Sequence, residues 1–133
     1  MLIVNIDGAS RGNPGPSGIG IIARQGGKTV FEISEYLGEA TNNVAEYSAL
    51  IRALEEVLIK GHKKAHFISD SQLLVEQING NYRVKDEKLK PLFINAVSLI
   101  KKLKTFSISH VEREKNKEAD RLANRGIDYK QEN

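Results

Sequence analysis

The stretch Leu2 to Gly18, LIVNIDGASRGNPGPSG, constrains the chain more than any other. It reads as an apolar strand that ends in an acid, Asp7, and then breaks into a loop punctuated by Gly8, Gly12, Pro14, Gly15, Pro16 and Gly18. Period-two alternation puts Leu2, Val4 and Ile6 on one face and Ile3, Asn5 and Asp7 on the other. Such a chain carries a carboxylate to the tip of a central strand and then lets the backbone approach something closely. The same residues also make an ordinary turn opened by Asp, so this stretch alone leaves site and turn both open.

The 133 residues are enough for one domain with a real core, which we place at 1–128 with a frayed tail at 129–133. The absence of cysteine excludes a disulfide framework and a thiolate metal site, and it fits a reducing, cytoplasmic compartment. No signal peptide is visible, because Met1 to Ile6 is too short, lacks a basic leader and runs into Asp7. No run approaches the roughly 18 apolar residues of a membrane span, so no membrane partner is expected. The net charge of +3 leans mildly towards a polyanionic partner. A monomer is the expected state.

After the first strand, Gly18 to Arg24 and Thr29 to Leu37 are rich in β-formers, and Gly26-Gly27 between them is a hairpin signal. The polar run Gly38 to Asn43 reads as a loop. Val44 to Lys60 is helical in period, stopped by Gly61, with Val44, Tyr47, Leu50, Ile51, Ala53, Leu54, Val57 and Leu58 on its apolar face. Glu46 breaks that face, lying in line with Leu50, Ala53 and Val57. A first-turn acid complementing the helix dipole would explain its position along the helix, but not its direction. Ala65 to Ser69 is a short strand ending at Asp70, followed by a helix closed near Gly80; Asp70 or Ser71 can serve as its cap.

Asn81 to Lys90 is polar. Pro91 opens a helix to about Lys104, whose Lys101, Lys102 and Lys104 read as last-turn cations. Phe106 to His110 is the last strand, VEREKN the following loop, and Lys117 to Gly126 the last helix, with Asn116 as its cap and Asp120 at the margin of its inward face. The order β-β-β-α-β-α-α-β-α predicts an α/β fold, a five-stranded mixed sheet of three antiparallel and then two parallel strands flanked by helices. In such a sheet the first and fourth strands can be neighbours. Asp7 and Asp70 then meet at adjacent strand ends, towards which the helices carrying Glu46 and Asp120 can point.

Carboxylates that converge without a basic partner repel one another and call for a cation. Hard divalent ions take oxygen ligands, and no His or Cys cluster offers a zinc-type alternative. Two such ions about 4 Å apart polarise an attacking water and stabilise a leaving alkoxide. The chemistry implied is metal-dependent phosphodiester hydrolysis, with Mg²⁺ or Mn²⁺ as cofactor and two ions expected when substrate is bound.

The blocks DGASRGNPG at 7–15, TNNVAE at 41–46, DSQ at 70–72 and NKEADRLA at 116–123 resemble, in order and spacing, those of type 1 ribonuclease H. The likeness covers nearly the whole chain and extends to the compact bacterial ribonuclease H-like proteins. It implies a ribonuclease H-like fold and an endonuclease that cuts the RNA strand of an RNA–DNA hybrid, leaving 5′-phosphate ends. Asp7, Glu46, Asp70 and Asp120 would be the catalytic and metal-binding acids. Gly8, Asn13, Thr41, Asn42, Asn43, Ser71 and Gln72 would contact the nucleic acid through its phosphates and 2′-hydroxyls.

Two departures from the family stand out. The basic, aromatic-rich protrusion of its larger members is reduced here to Tyr82, Arg83 and a few lysines among acids, so hybrid affinity is expected either to be weak and steep in salt or to depend on a partner domain. The histidine-bearing loop before the last helix is replaced by VEREKN. His110 is an auxiliary candidate but fits the end of the last strand, and Arg113 or Glu114 are the alternatives near the metals. His62 and His66 read as structural or surface residues. One rival is a hybrid- or RNA-binding module with weak or no catalysis. Another is a nuclease of this fold acting on DNA junctions or single-stranded RNA.

Overall fold

The computed structural model describes residues 1–132, with side chains through residue 130. Strands β1 (Leu2–Ser10), β2 (Gly15–Gln25) and β3 (Lys28–Ala40) form an antiparallel meander, and α1 (Asn42–Ile59) follows. Then come β4 (Lys64–Ser69), α2 (Gln72–Ile78), α3 (Lys90–Ile100), β5 (Thr105–His110), a single 3₁₀ turn at Arg113–Lys115, and α4 (Lys117–Glu132). The sheet order is β3-β2-β1-β4-β5, with β4 parallel to β1 and β5 parallel to β4. This is the ribonuclease H-like mixed sheet predicted above.

Alternation decides which helix each strand meets. Leu2, Val4 and Ile6 of β1 and Ile19, Ile21 and Ala23 of β2 are buried in one core with Tyr47, Leu50, Leu54 and Val57 of α1. On β2 the intervening positions face the other way, where α4 buries Ala119, Leu122, Ala123 and Ile127. The Tyr47 hydroxyl donates to Gln77 Oε1 at 2.7 Å, tying α1 to α2 inside the core. Among the described residues no helix is long and apolar enough to cross a membrane.

The stops follow the backbone chemistry expected of them. Gly61, at φ +80°, ends α1 with Gly61 N–H on the Leu58 carbonyl and His62 N–H on that of Val57. Gly80, at φ +82°, ends α2 in the same way. Gly26 and Gly27 both have positive φ, the requirement of the tight hairpin turn between β2 and β3.

Four boundaries differ from the sequence expectation. The glycine-rich stretch after Asp7 is mostly ladder, because pairing continues through Gly8↔Ile19, Ala9↔Gly18 and Ser10↔Ser17 and leaves a loop only at residues 11–14. Residues 38–40 extend β3, and the Ser10 and Ser17 hydroxyls both donate to the Ala40 carbonyl, which fixes where α1 begins. Helix α3 ends at Ile100, so Lys101 is its C-cap and Lys102 and Lys104 lie beyond it. Helix α4 runs straight through Gly126, where a Cβ would lie 2.6 Å from the Glu35 carbonyl oxygen. That glycine is a point of close packing against β3 rather than a stop. Residues 129–132 of the tail continue α4, and residue 133 lies outside the described residues.

Candidate active site

The parallel β1–β4 ladder ends with Ile6 opposite Ser69, so the next residues, Asp7 within β1 and Asp70 just after β4, emerge side by side where that ladder stops. Ser71, not Asp70, caps α2: its hydroxyl accepts from Leu74 N at 3.2 Å. Asp70 instead lines a cleft of about 390 Å³ together with Asp7, Glu46 and Asp120.

Glu46 reaches the cleft because Gly8 lets α1 come close. A Cβ on Gly8 would lie 2.2 Å from the Ala45 carbonyl carbon and 2.5 Å from the Glu46 nitrogen. With nothing there, the Gly8 N–H donates to Glu46 Oε1 at 2.7 Å, and the carboxylate is 5% exposed. Glu46 lies beyond the first turn, so the dipole explanation fails and the direction of the side chain stands as the informative fact.

Asp120 depends on how α4 seats on β2. Gly18 and Gly20 leave room for the α4 backbone, which would be 2.1–2.4 Å from a Cβ at either position. Asn116 is anchored to β1 rather than capping α4 with its side chain: it donates to the Ile6 carbonyl and accepts from Asn5 Nδ2, both at 2.9 Å. The start of the helix is thereby fixed beside the strand that carries Asp7.

Ligand oxygens of Asp7, Glu46 and Asp70 lie within 4.8 Å of one another. Burial, then the neighbouring Glu46 and Asp70 carboxylates, and lastly a hydrogen bond with Asp120, push the Asp7 carboxyl up to about 10. Burial lifts Glu46 to about 8 against the downward pull of the Gly8 N–H. Asp70 is also raised, first by burial, while its hydrogen bond with Asp7 and the Arg113 charge pull the other way. Arg113 stands 3.8 Å from Asp120 but is 78% exposed, too well solvated to balance this charge. An all-carboxylate donor set with surplus negative charge fits hard divalent cations.

Of the residues expected to touch nucleic acid, Asn13 and Asn42 are brought together, the Asn13 side chain accepting from the Asn42 amide at 3.0 Å. Thr41 caps α1, its hydroxyl accepting from Val44 N, and Asn42 and Asn43 open the helix on the surface. Ser71 lines the cleft and is followed by exposed Gln72. Gly8 lines the cleft, but its amide is already engaged by Glu46.

His110 is exposed at the end of β5, in register with Ser69, and is not among the cleft residues. Glu114 is fully exposed outside the cleft, with its carboxyl held low first by backbone hydrogen bonding, whereas Arg113 lines the cleft. His66 is structural: its ring nitrogens meet the Ser107 and Ser109 hydroxyls at 2.6 and 2.9 Å. Sequence reasoning missed Asn124, which also lines the cleft. Its one signal was its place a helical turn after Asp120.

Residues 5–126 match the family model described as reverse transcriptase-like. A ribonuclease H of Methylococcus capsulatus is 38% identical over 136 aligned residues, spanning 92% of this chain and 86% of that protein. A bifunctional protein of Mycobacterium tuberculosis is 38% identical over 129 residues, spanning 96% of this chain. The chain covers only 35% of the length of that protein and of its other mycobacterial counterparts. A solved structure of LC11 ribonuclease H1 in complex with an RNA/DNA hybrid superposes with a TM-score of 0.94 at 41% identity, covering 98% of this chain and 99% of that one.

Proposed function

The chain belongs to the ribonuclease H family, and from that premise we propose that it is an endonuclease hydrolysing the RNA strand of RNA–DNA hybrids, with Mg²⁺ or Mn²⁺ as cofactor. The observation that carries this reading is the convergence of the Asp7, Glu46 and Asp70 oxygens within 4.8 Å, with Asp120 lining the same cleft. Asp7, Glu46, Asp70 and Asp120 would hold two divalent ions, whose chemistry is to activate water and stabilise the departing 3′-oxygen, leaving a 5′-phosphate.

The chain's own residues position and balance that chemistry. Asp7 lies within 4.8 Å of Glu46 and Asp70 and shares the cleft with Asp120, so it would be the carboxylate to contribute to both ions. The Gly8 N–H fixes the Glu46 rotamer, and the β1–β4 register sets the spacing of Asp7 and Asp70. Because Asp7 and Glu46 favour their protonated forms in the metal-free cleft, they must release protons when a cation binds.

Asn42 and Ser71 in the cleft lining, with Asn13, Thr41 and Asn43 beside Asn42 and Gln72 beside Ser71, would supply short polar groups suited to phosphates and 2′-hydroxyls. Nothing in that set reads base edges, so cleavage is independent of sequence. The hybrid-bound LC11 relative and the ribonuclease H of Methylococcus support this substrate. A monomer working in the cytoplasm completes the proposal, in keeping with a cysteine-free chain.

The test is a labelled substrate panel with Mg²⁺, Mn²⁺ or EDTA. Metal-dependent cutting confined to the RNA strand of the hybrid is expected. Preferred cutting of single-stranded RNA or a DNA junction would assign a different reaction to the same cleft. Hybrid binding without turnover would make the protein a binding module.

A further inference from the structure

Asn124 lies one turn after Asp120 on α4 and lines the same cleft. Its Nδ2 donates to the Asp120 carbonyl oxygen at 3.0 Å and lies 3.3 Å from Asp120 Oδ1. On its other side, Arg11 Nη2 donates to Asn124 Oδ1 at 3.3 Å and reaches the Asn124 carbonyl oxygen at 3.4 Å. Arg11 is held from below by Asp128, one turn further along α4, at 2.6 Å from Nη1. Arg113 approaches the same Asp120 oxygen from outside at 3.8 Å.

An amide is a neutral side chain that can satisfy both neighbours at once from opposite ends of one rigid plane. Its NH₂ end faces a carboxylate and its oxygen faces a guanidinium, and the reverse orientation would oppose like partial charges at both ends. The flanking charges therefore fix the amide, and the amide fixes one oxygen of Asp120. Arg11 comes from the loop at residues 11–14, whose Asn13 accepts from the first amide of α1.

We propose that Asn124 is the positioning residue for Asp120, and that Arg11 acts through it, linking the β1–β2 loop to the fourth acid of the metal site. This inference rests on the metal-binding reading of the cleft given above. Removing a partner that orients a metal ligand typically weakens metal binding by about 10–100-fold. The effect is expected near the lower end here, because the Arg113 contact remains.

The test is calorimetric titration of Mn²⁺ into wild type, Asn124→Ala, Arg11→Ala and the double variant, with melting temperature and hybrid binding in EDTA measured alongside. Asn124→Ala should bind Mn²⁺ about tenfold more weakly while melting temperature and metal-free hybrid binding stay near wild type. Arg11→Ala should shift affinity the same way by less, and the double variant should be no weaker than Asn124→Ala alone. Unchanged Mn²⁺ affinity in folded Asn124→Ala would overturn the proposal, and additive losses would overturn the coupling to Arg11. Wild type that binds Mn²⁺ yet cuts no hybrid would sink the proposed activity while leaving this comparison decisive. Wild type that binds no Mn²⁺ would sink both.

Discussion

Gly20→Ala adds a single methyl group on the far face of the sheet from α1, and it should disable the site. Gly20 pairs with Asp7 across the β1–β2 ladder and lies beneath α4. A Cβ there would sit 2.1 Å from the Ala119 carbonyl oxygen and 2.4 Å from the Ala123 nitrogen. Both are backbone atoms that cannot swing aside, so α4 must retreat by more than about 1 Å to recover ordinary contact. Overpacking of this kind costs about 1–3 kcal/mol, a fall in melting temperature of roughly 4–10 °C for a chain of this size. Asp120 adjoins Ala119 and moves with it, and a misplacement of about 1 Å in a catalytic group is worth roughly 100-fold in rate.

Thermal melts and single-turnover hybrid cleavage, the latter well below the melting temperature, read the two effects separately. Gly27→Ala is the control: its Cβ meets nothing within 4 Å, so only the strain of φ +78° remains, about 1–2 kcal/mol, with the rate unchanged. A Gly20→Ala protein that melts and cleaves like wild type would refute the seating of α4 on β2. Lost stability with an intact rate would break the link between that seat and Asp120.

Other outcomes follow from the same geometry. Asp7 and Glu46 carry carboxyls raised from 3.8 to about 10 and from 4.5 to about 8, so both favour the proton in the folded state. Their contribution to metal-free stability is then fullest below about pH 4 and is lost as pH rises towards 8 for Glu46 and 10 for Asp7, the reverse of a paired carboxylate such as Glu56. Melts of wild type against Asp7→Asn in EDTA across that range check the sign. Asp7→Asn removes the larger share. The interval from 3.8 to pH 7, at about 1.4 kcal/mol per unit, caps its gain at roughly 4 kcal/mol, so a metal-free melt no higher than wild type at pH 7 would count against the crowded-carboxylate picture. Mn²⁺ titrations at pH 7 in buffers of different ionisation enthalpy should report net proton release, and equal heats across buffers would argue against it. Thr41→Ala should lose about 1 kcal/mol of stability with the α1 cap, and weaken hybrid binding as well if this rim touches the backbone.

The sequence exposed most of the fold because its signals were local. Alternation in Leu2 to Asp7 set the faces of β1, and glycines 61 and 80 marked true helix ends. Glu46 was legible because a carboxylate on an apolar helix face has no cheap structural explanation. Gly8, Gly18 and Gly126 were misjudged for a shared reason: in sequence, a glycine that admits a neighbouring backbone looks the same as one that turns the chain. The choice between Asp70 and Ser71 as cap, and the direction of Asn116, hung on tertiary contacts that local pattern does not encode. Asn124 was invisible for the same reason, since its partner Arg11 lies 113 residues away.

The central claim, that the clustered carboxylates carry a metal-dependent hydrolysis, is tested most directly by single-turnover cleavage of a labelled RNA–DNA hybrid. Wild type and Asp7→Asn are compared with Mg²⁺, Mn²⁺ and EDTA, with circular dichroism to show that both are folded. The RNA strand should be cut by wild type with either metal, left intact in EDTA, and left intact by a folded Asp7→Asn protein that still binds hybrid. Cleavage that persists in EDTA or in Asp7→Asn would contradict the claim, as would a wild-type protein that folds, binds hybrid and cuts nothing with either metal.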